Sequence, residues 1–434
     1  MTWENLNGLD CPCGKHHGFS ARVITGRGVL AQLPDVAGGF GAERVFVLSD
    51  RSTYEAAGRA VCHMLEKAGL MVSSFSLPVE SPEPSEKAVG SAMLHFDNSC
   101  QLIVGVGSGV INDIGKLLSL WTGRPYIIVA TAPSMDGYAS ATSSMERAGL
   151  KVSIPSRVPD VILGDSEILC KAPAKLLQAG LGDMVAKYIS LCEWRIAHLL
   201  LGEYYCEEIA GLVRHALSHC AQNAQGLLRR EEVAVMAVFE GLVGCGVAMA
   251  YAGVSRPASG VEHYISHVLD MRGASLHTPV ELHGLQCAAG TWLAACLYEK
   301  LKAVTPDKEK AERFVKGFDY EAWKQTLRTL LGEGAEVMIA QEVKEGKYDK
   351  TTHPARLQRI LDNWKAILQI VAEELPPLSE LEKLLDVAGL PKTLSALGTD
   401  DGLLPLIFAA TKDIRDKYVL SRLCWDLGIL NDIL

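Results

Sequence analysis

Leu102-Ile-Val-Gly105-Val-Gly107-Ser108-Gly109-Val-Ile-Asn112-Asp113-Ile-Gly-Lys116 is the stretch from which the fold can be read. The run 102–106 is continuously apolar, the pattern of a strand buried on both faces. It passes through glycines straight into a run with helical spacing, 111–121. A strand, a glycine turn and a helix start let a backbone approach a pyrophosphate. Glycine has no Cβ in the way, and the helix start offers unbonded N–H groups and the positive end of its dipole. The spacing is not G-x-G-x-x-G, so a merely structural turn stays open beside the functional one. Gly105, Gly107, Ser108, Gly109, Asn112 and Asp113 are the cofactor candidates here.

The same rhythm extends outward on both sides. Strands are expected at 22–24, 45–49, 71–77, 126–130 and 158–164. Helices are expected at 28–37, at 52–68 capped by Ser52, and at 85–96 capped by Ser85. Polar alternation over 140–153 suggests a hairpin above a cofactor cleft. Alternating strands and helices build a doubly wound parallel sheet of Rossmann type, with ligands at the carboxyl ends of the strands. Asp50 ends one strand. It suits either an adenosine ribose, which would favour NAD over NADP, or a helix cap. Thr131-Ala-Pro-Ser134-Met-Asp136-Gly-Tyr-Ala-Ser140 follows another strand and is dense in turn residues. Thr131, Ser134 and Ser140 could meet a nicotinamide or its ribose, and Asp136 could hold a substrate hydroxyl.

From residue 174 onward only helical patterns appear, so we expect an α/β dinucleotide-binding domain over 1–170 and an all-helical metal and substrate domain over 171–434. Helices are expected at 176–201, 204–227, 231–250, 261–269, 285–302, 320–331, 355–373, 378–388 and 406–416. The charged stretch 309–350 is expected to face solvent. Within the helical half, Ser259-Gly-Val-Glu-His263-Tyr-Ile-Ser-His267 follows Pro257, which suits a helix entry. His263 and His267 are four apart and share a face. His283 opens the next apolar run, so two helices can aim imidazoles at one space. Gly180-Leu-Gly182-Asp183, read as a turn, supplies a carboxylate upstream. Imidazoles and a carboxylate suit zinc, nickel or iron. Lys187 and Arg256 are candidate phosphate donors, with a structural ion pair as the alternative for each.

The chain has 434 residues, 48% of them hydrophobic and 21% charged, with a net charge of −9. That composition is globular, and no basic stripe for nucleic acid appears. The apolar stretch 236–254 contains Glu240 and several glycines, which favours a buried helix over a membrane span. Twelve scattered cysteines, and a start (Met1-Thr-Trp-Glu-Asn) unlike a signal peptide, make a reducing cytoplasm the expected compartment. Cys11-Pro-Cys13-Gly-Lys-His16-His17 has a metal-knuckle look. Its C-x-C spacing and the lack of a second cysteine pair favour a turn leading into the first strand.

Taken together, the segments 105–116, 131–140, 180–187, 259–267, 281–284 and 414–428 resemble, in order, the iron-containing alcohol dehydrogenase and dehydroquinate synthase superfamily. The nearest likeness is to its bacterial glycerol-1-phosphate dehydrogenase branch. The resemblance implies a divalent metal (zinc, nickel or iron) on Asp183, His263 and His283, with His267 beside the substrate. It implies NAD(H) or NADP(H) and reversible reduction of dihydroxyacetone phosphate to sn-glycerol 1-phosphate, with a role in phospholipid metabolism and a homodimeric assembly. Met135 stands where archaeal relatives often have histidine. A glycerol dehydrogenase-like activity on another polyol, a dehydroquinate-synthase-like carbocyclase, and a non-catalytic sensor are the alternatives.

Overall fold

The computed structural model describes residues 11–78, 83–147 and 150–434. The first five residues, on which the leader argument rests, lie outside them. The chain forms two compact units: Met1–Met184 with His215–Val254, and Val185–Arg214 with Ser255–Leu434.

Among the described residues the first unit has eight strands: β1 (Arg22–Gly26), β2 (Arg44–Asp50), β3 (Met71–Leu77), β4 (Leu102–Gly107), β5 (Tyr126–Ala130), β6 (Thr142–Arg147), β7 (Leu150–Pro155) and β8 (Val161–Asp165). Six of them form one parallel sheet in the order β1-β8-β5-β4-β2-β3, and β6 and β7 form the expected antiparallel hairpin. Val45, Val47, Leu102, Val104, Ile127 and Val129 on one face of the central strands, and Phe46, Leu48, Ile103 and Ile128 on the other, are wholly buried. That burial on both faces explains why these segments read as unbroken apolar runs. The strands alternate with helices α1 (Leu33–Gly39), α2 (Arg59–Lys67), α3 (Glu86–His95) and α4 (Gly109–Thr122). Gly105 and Gly115 bring β4 and α4 against one ring: a Cβ on either would stand 2.4 Å from the Tyr126 hydroxyl.

Two local expectations need correction. The helix after β2 is capped by Asp50, not Ser52. Asp50 Oδ1 accepts from Thr53 N at 2.8 Å, and Asp50 N donates to Thr53 Oγ1 at 2.9 Å, a reciprocal box. The segment 51–67 is also not one regular helix, because Tyr54–Gly58 widens into a π turn. Ser85 does cap α3, accepting from Ala88 N.

Past β8 the described residues contain no further strand. Helices α5 (Ala174–Val185) and α6 (Lys187–Leu201) replace the single helix expected at 176–201, with a break at Ala186. Then come α7 (Glu207–Leu227), α8 (Glu232–Ala252), α9 (Val261–Leu276) and α10 (His283–Leu301). Helix α8 is long and apolar enough to cross a membrane, and 72% of its most apolar window is buried inside the protein. It serves as a core helix of the first unit: Phe239 covers Gly164, where a Cβ would come within 2.0 Å of the ring. Pro257 does not open α9, which starts four residues later at Val261 behind Gly260.

Segment 353–374 is likewise two helices, His353–Asp362 and Trp364–Glu374. The charged stretch 309–350 is not simply solvent-facing. Its helices Lys308–Gly317, Tyr320–Leu331 and Gly334–Glu345 bury Val315, Leu327, Leu331 and Met338. Charges on the outer face of each helix mask that stripe in the sequence.

Candidate active site

In the second unit, α9 and α10 carry the histidines. His263 and His283 have ring centroids 5.0 Å apart, and His267 lies 6.1 Å from His283. The helices cross closely because Gly290 has no side chain; a Cβ there would meet the Glu262 carbonyl oxygen at 2.7 Å. Cys287, one turn after His283, joins the group. Ligand atoms of His263, His283 and Cys287 all lie within 4.8 Å of one another.

Hydrogen bonds fix which ring nitrogen can act as a ligand. His263 Nδ1 is 2.8 Å from Glu262 Oε1. A carboxylate only accepts, so Nδ1 carries the proton and Nε2 the lone pair. For His283 the chain is longer. Gln286 Nε2 donates to Asp270 Oδ1 at 3.1 Å, which turns the Gln286 carbonyl toward Ser266. Ser266 Oγ gives its single proton to Gln286 Oε1 at 2.5 Å and therefore accepts from His283 Nδ1 at 2.8 Å. Both imidazoles are thus held as Nε2 donors, the form a divalent cation requires. Replacing Ser266 by alanine should weaken metal affinity roughly 10–100-fold and, by leaving the buried Gln286 carbonyl unbonded, cost about 1–3 kcal/mol of stability. Titration of the metal-depleted variant against zinc would measure it, and unaltered affinity would exclude the relay.

Buried charge surrounds these helices. Glu193 is 1% exposed and accepts from Val261 N at 2.9 Å and Leu420 N at 2.7 Å. Burial, then the neighbouring Glu262 carboxylate, push its pKa above the usual range for a carboxylic acid. Lys417 donates to the Ser255 and Ser259 carbonyls, and burial with Arg256 and Arg415 nearby lowers its pKa to about 7. Arg256 forms a two-pronged pair with Glu203 and also donates to the Tyr418 carbonyl. Lys187 is fully buried, with Nζ on the Ala258 carbonyl at 3.1 Å. Arg256 thus shows the ion pair left open for it, whereas the bond of Lys187 is to a backbone carbonyl.

The first unit holds the other residues singled out from the sequence. Asp183 is fully buried near the end of α5, so the Gly180-Leu-Gly182-Asp183 segment is helix and not a turn. Asp183 Oδ2 accepts from the Asp136 backbone N–H at 2.9 Å. Asp136 opens the one-turn helix Asp136–Ala139, and Met135 caps that turn through its sulfur, accepting from Gly137 N at 2.8 Å. Ser108, between β4 and α4, bonds the Ser134 hydroxyl and receives the Tyr138 hydroxyl at 3.2 Å. Thr131 is nearly buried, its N–H on the Gly107 carbonyl at 3.0 Å. Asn112 donates to the Gly137 carbonyl at 3.1 Å, and Asp113 pairs with the buried Lys116 at 3.0 Å. Lys116 in turn donates to Ser140 Oγ and to the Thr142 carbonyl. These bonds of Asn112 and of Ser140 run within the protein, and together with Lys116 they brace loop 131–142.

Cys287, Glu262, Ser266, Gln286 and Asp270 were not singled out from sequence. A usable signal existed: Ser266, Gln286 and Cys287 lie three or four residues after a candidate histidine, hence on its own helix face.

Residues 24–173 match the family described as iron-containing alcohol dehydrogenase. Curated relatives include glycerol-1-phosphate dehydrogenase [NAD(P)+] of Halalkalibacterium halodurans, 30% identical over 67% of this chain and 74% of that protein. Another is the enzyme of the same name from Methanosarcina mazei, 34% identical over 64% of this chain and 76% of that one. The chain belongs to this glycerol-1-phosphate dehydrogenase family. Its fold is also that of a probable glycerol dehydrogenase from Sinorhizobium meliloti, with a TM-score of 0.62 at 18% identity, covering 96% of this chain and 98% of the other.

Proposed function

We propose that this protein is a metal-dependent oxidoreductase that reversibly reduces dihydroxyacetone phosphate to sn-glycerol 1-phosphate with NADH or NADPH. The observation that carries the proposal is the pair of imidazoles, His263 and His283, each held as an Nε2 donor, in a chain of this family. Asp183 is proposed as the third ligand, supported by its full burial and its match to the family pattern. Cys287 is a further donor within reach of the histidines. Zinc, nickel and iron all suit this set. A bound divalent cation would polarise the ketone, and the nicotinamide would supply the hydride.

The remaining work falls to the chain itself. The Gly105–Gly109 turn and the start of α4 are proposed to receive the dinucleotide phosphates, with Asp50 at the ribose and Thr131 and Ser134 toward the nicotinamide. Asn112, Asp113 and Ser140 keep their place in the cofactor proposal through the loop they brace. His267, half-buried beside His283, is proposed to exchange the proton or meet the substrate phosphate. Asp136 and Lys187 complete the substrate proposal. The division into a cofactor part over 1–170 and a metal and substrate part over 171–434 belongs to it too. So do a cytoplasmic location, a role in phospholipid metabolism and a homodimer. The homodimer is supported by exposed Met93, Leu94, Leu120 and Trp121 on the neighbouring helices α3 and α4.

The test is NADH absorbance after metal reconstitution. It should fall steadily when dihydroxyacetone phosphate is added, and more slowly with unphosphorylated dihydroxyacetone. Preference for the unphosphorylated ketone would point to a glycerol dehydrogenase. Turnover that returns NAD unchanged would point to a carbocyclase.

A further inference from the structure

The first unit holds another group of metal-type donors, in a segment that the proposed reaction does not use. Residues 11–21 form no helix and only a tight turn before β1. Gly14 N bonds back to the Cys11 carbonyl at 2.9 Å, and Gly14 sits at φ 60°, a left-handed conformation that glycine tolerates best. This turn folds Cys11-Pro-Cys13-Gly-Lys-His16 onto itself. One ligand atom each from Cys11, Cys13 and His16 lies within 4.8 Å of the others, and all three residues are half-buried.

We propose that Cys11, Cys13 and His16 bind a zinc ion that locks this turn in the form from which the next residues pack on α8. Zinc–sulfur bonds of about 2.3 Å and zinc–nitrogen bonds of about 2.0 Å put tetrahedral ligand atoms roughly 3.5–3.8 Å apart, so small shifts close the site. Two thiolates and an imidazole are the donors zinc favours, and a fourth ligand completes the shell. The C-x-C spacing that argued against a knuckle is offset by the left-handed turn at Gly14, which reverses the chain and returns His16 to the sulfurs.

The surroundings say what the ion does. His17 N donates to the Tyr251 carbonyl at 2.9 Å, capping the last turn of α8. Phe19 and His16 stand 6.2 Å and 6.0 Å from the Tyr251 ring. The His17 ring occupies the space over Gly253, where a Cβ would come within 2.4 Å of its Nε2. Ordering an irregular segment costs about 1–2 kcal/mol per residue, and few backbone bonds are present to offset it. A metal cross-link removes much of that cost.

The test counts metal in the full-length, zinc-loaded protein under reductant by native mass spectrometry. The Asp183→Ala variant should keep one zinc per chain. Adding Cys13→Ser or, separately, His16→Gln should remove that zinc. Chelation should also speed tryptic cleavage after the exposed Lys15 about tenfold relative to the zinc-loaded protein. If the serine variant precipitates, His16→Gln and the proteolysis decide. Knuckle variants that retain all their zinc, or a Cys11–Cys13 disulfide that persists in reductant, would overturn the proposal. Should Asp183→Ala keep its metal, the active-site reading fails, while the knuckle variants still lose one equivalent and this inference stands.

Discussion

Replacing Asp183 by alanine is expected to strip the catalytic metal and to lower kcat/KM for ketone reduction by roughly 10³-fold or more, about 4 kcal/mol of transition-state stabilisation. Two imidazoles alone bind a divalent cation weakly, and the carboxylate is the one anionic member of the proposed Asp183, His263 and His283 set. Asp183 also has a structural task, since it accepts the Asp136 N–H. Alanine would leave that amide unbonded, at a cost of about 1–3 kcal/mol. Asp183→Asn separates the two roles: asparagine keeps an acceptor for the amide and loses the charge. Metal content by plasma emission, with turnover on dihydroxyacetone phosphate, should fall in both variants, while the melting temperature should fall more in the alanine one. Full turnover by a metal-free variant would refute the assignment.

The second large effect is on stability. Alanine is ordinarily better than glycine inside a helix by about 1 kcal/mol. At Gly180, in the middle of α5, the sign should reverse. A Cβ there would lie 1.8 Å from the Pro133 carbonyl oxygen and 2.8 Å from its carbon. Backbone cannot swing aside as a side chain can, so either α5 or loop 131–140 must move. We expect Gly180→Ala to cost at least ~3 kcal/mol, above the usual range for overpacking, and to lower activity by shifting Asp183 against Asp136. Thermal denaturation against Gly211→Ala, a helical glycine with no heavy atom within 4 Å of the added Cβ, gives the comparison. Equal melting temperatures would show that the contact yields freely.

These two positions show how far the sequence could be read. The parallel sheet was legible because β2, β4 and β5 are buried on both faces and so carry continuous apolar runs. The histidine helices were legible because His263 and His267 repeat at four residues. The cap after β2 stayed open between Ser52 and Asp50 because both are good capping residues, and only the reciprocal bond of Asp50 with Thr53 decides between them. The break at Ala186 has no glycine or proline to announce it. Ser266 and Gln286 look like ordinary polar residues until two helices are set in register, so their task lies in tertiary structure and leaves little local trace. Gly180 read as part of a turn, because glycine next to an acid suggests one. The carbonyl that demands it, that of Pro133, comes from the loop after β5, far back in the chain.

The chain passes from one compact unit to the other at residues 184/185, 214/215 and 254/255, so neither unit is a single stretch of sequence. Helix α8, which supplies Phe239 over Gly164, is translated well after the sheet it completes. The nascent sheet therefore waits on the ribosome for a partner separated from it by part of the other unit. For the same reason a gene fusion that joined a foreign nucleotide-binding half at one junction would inherit an unfinished core.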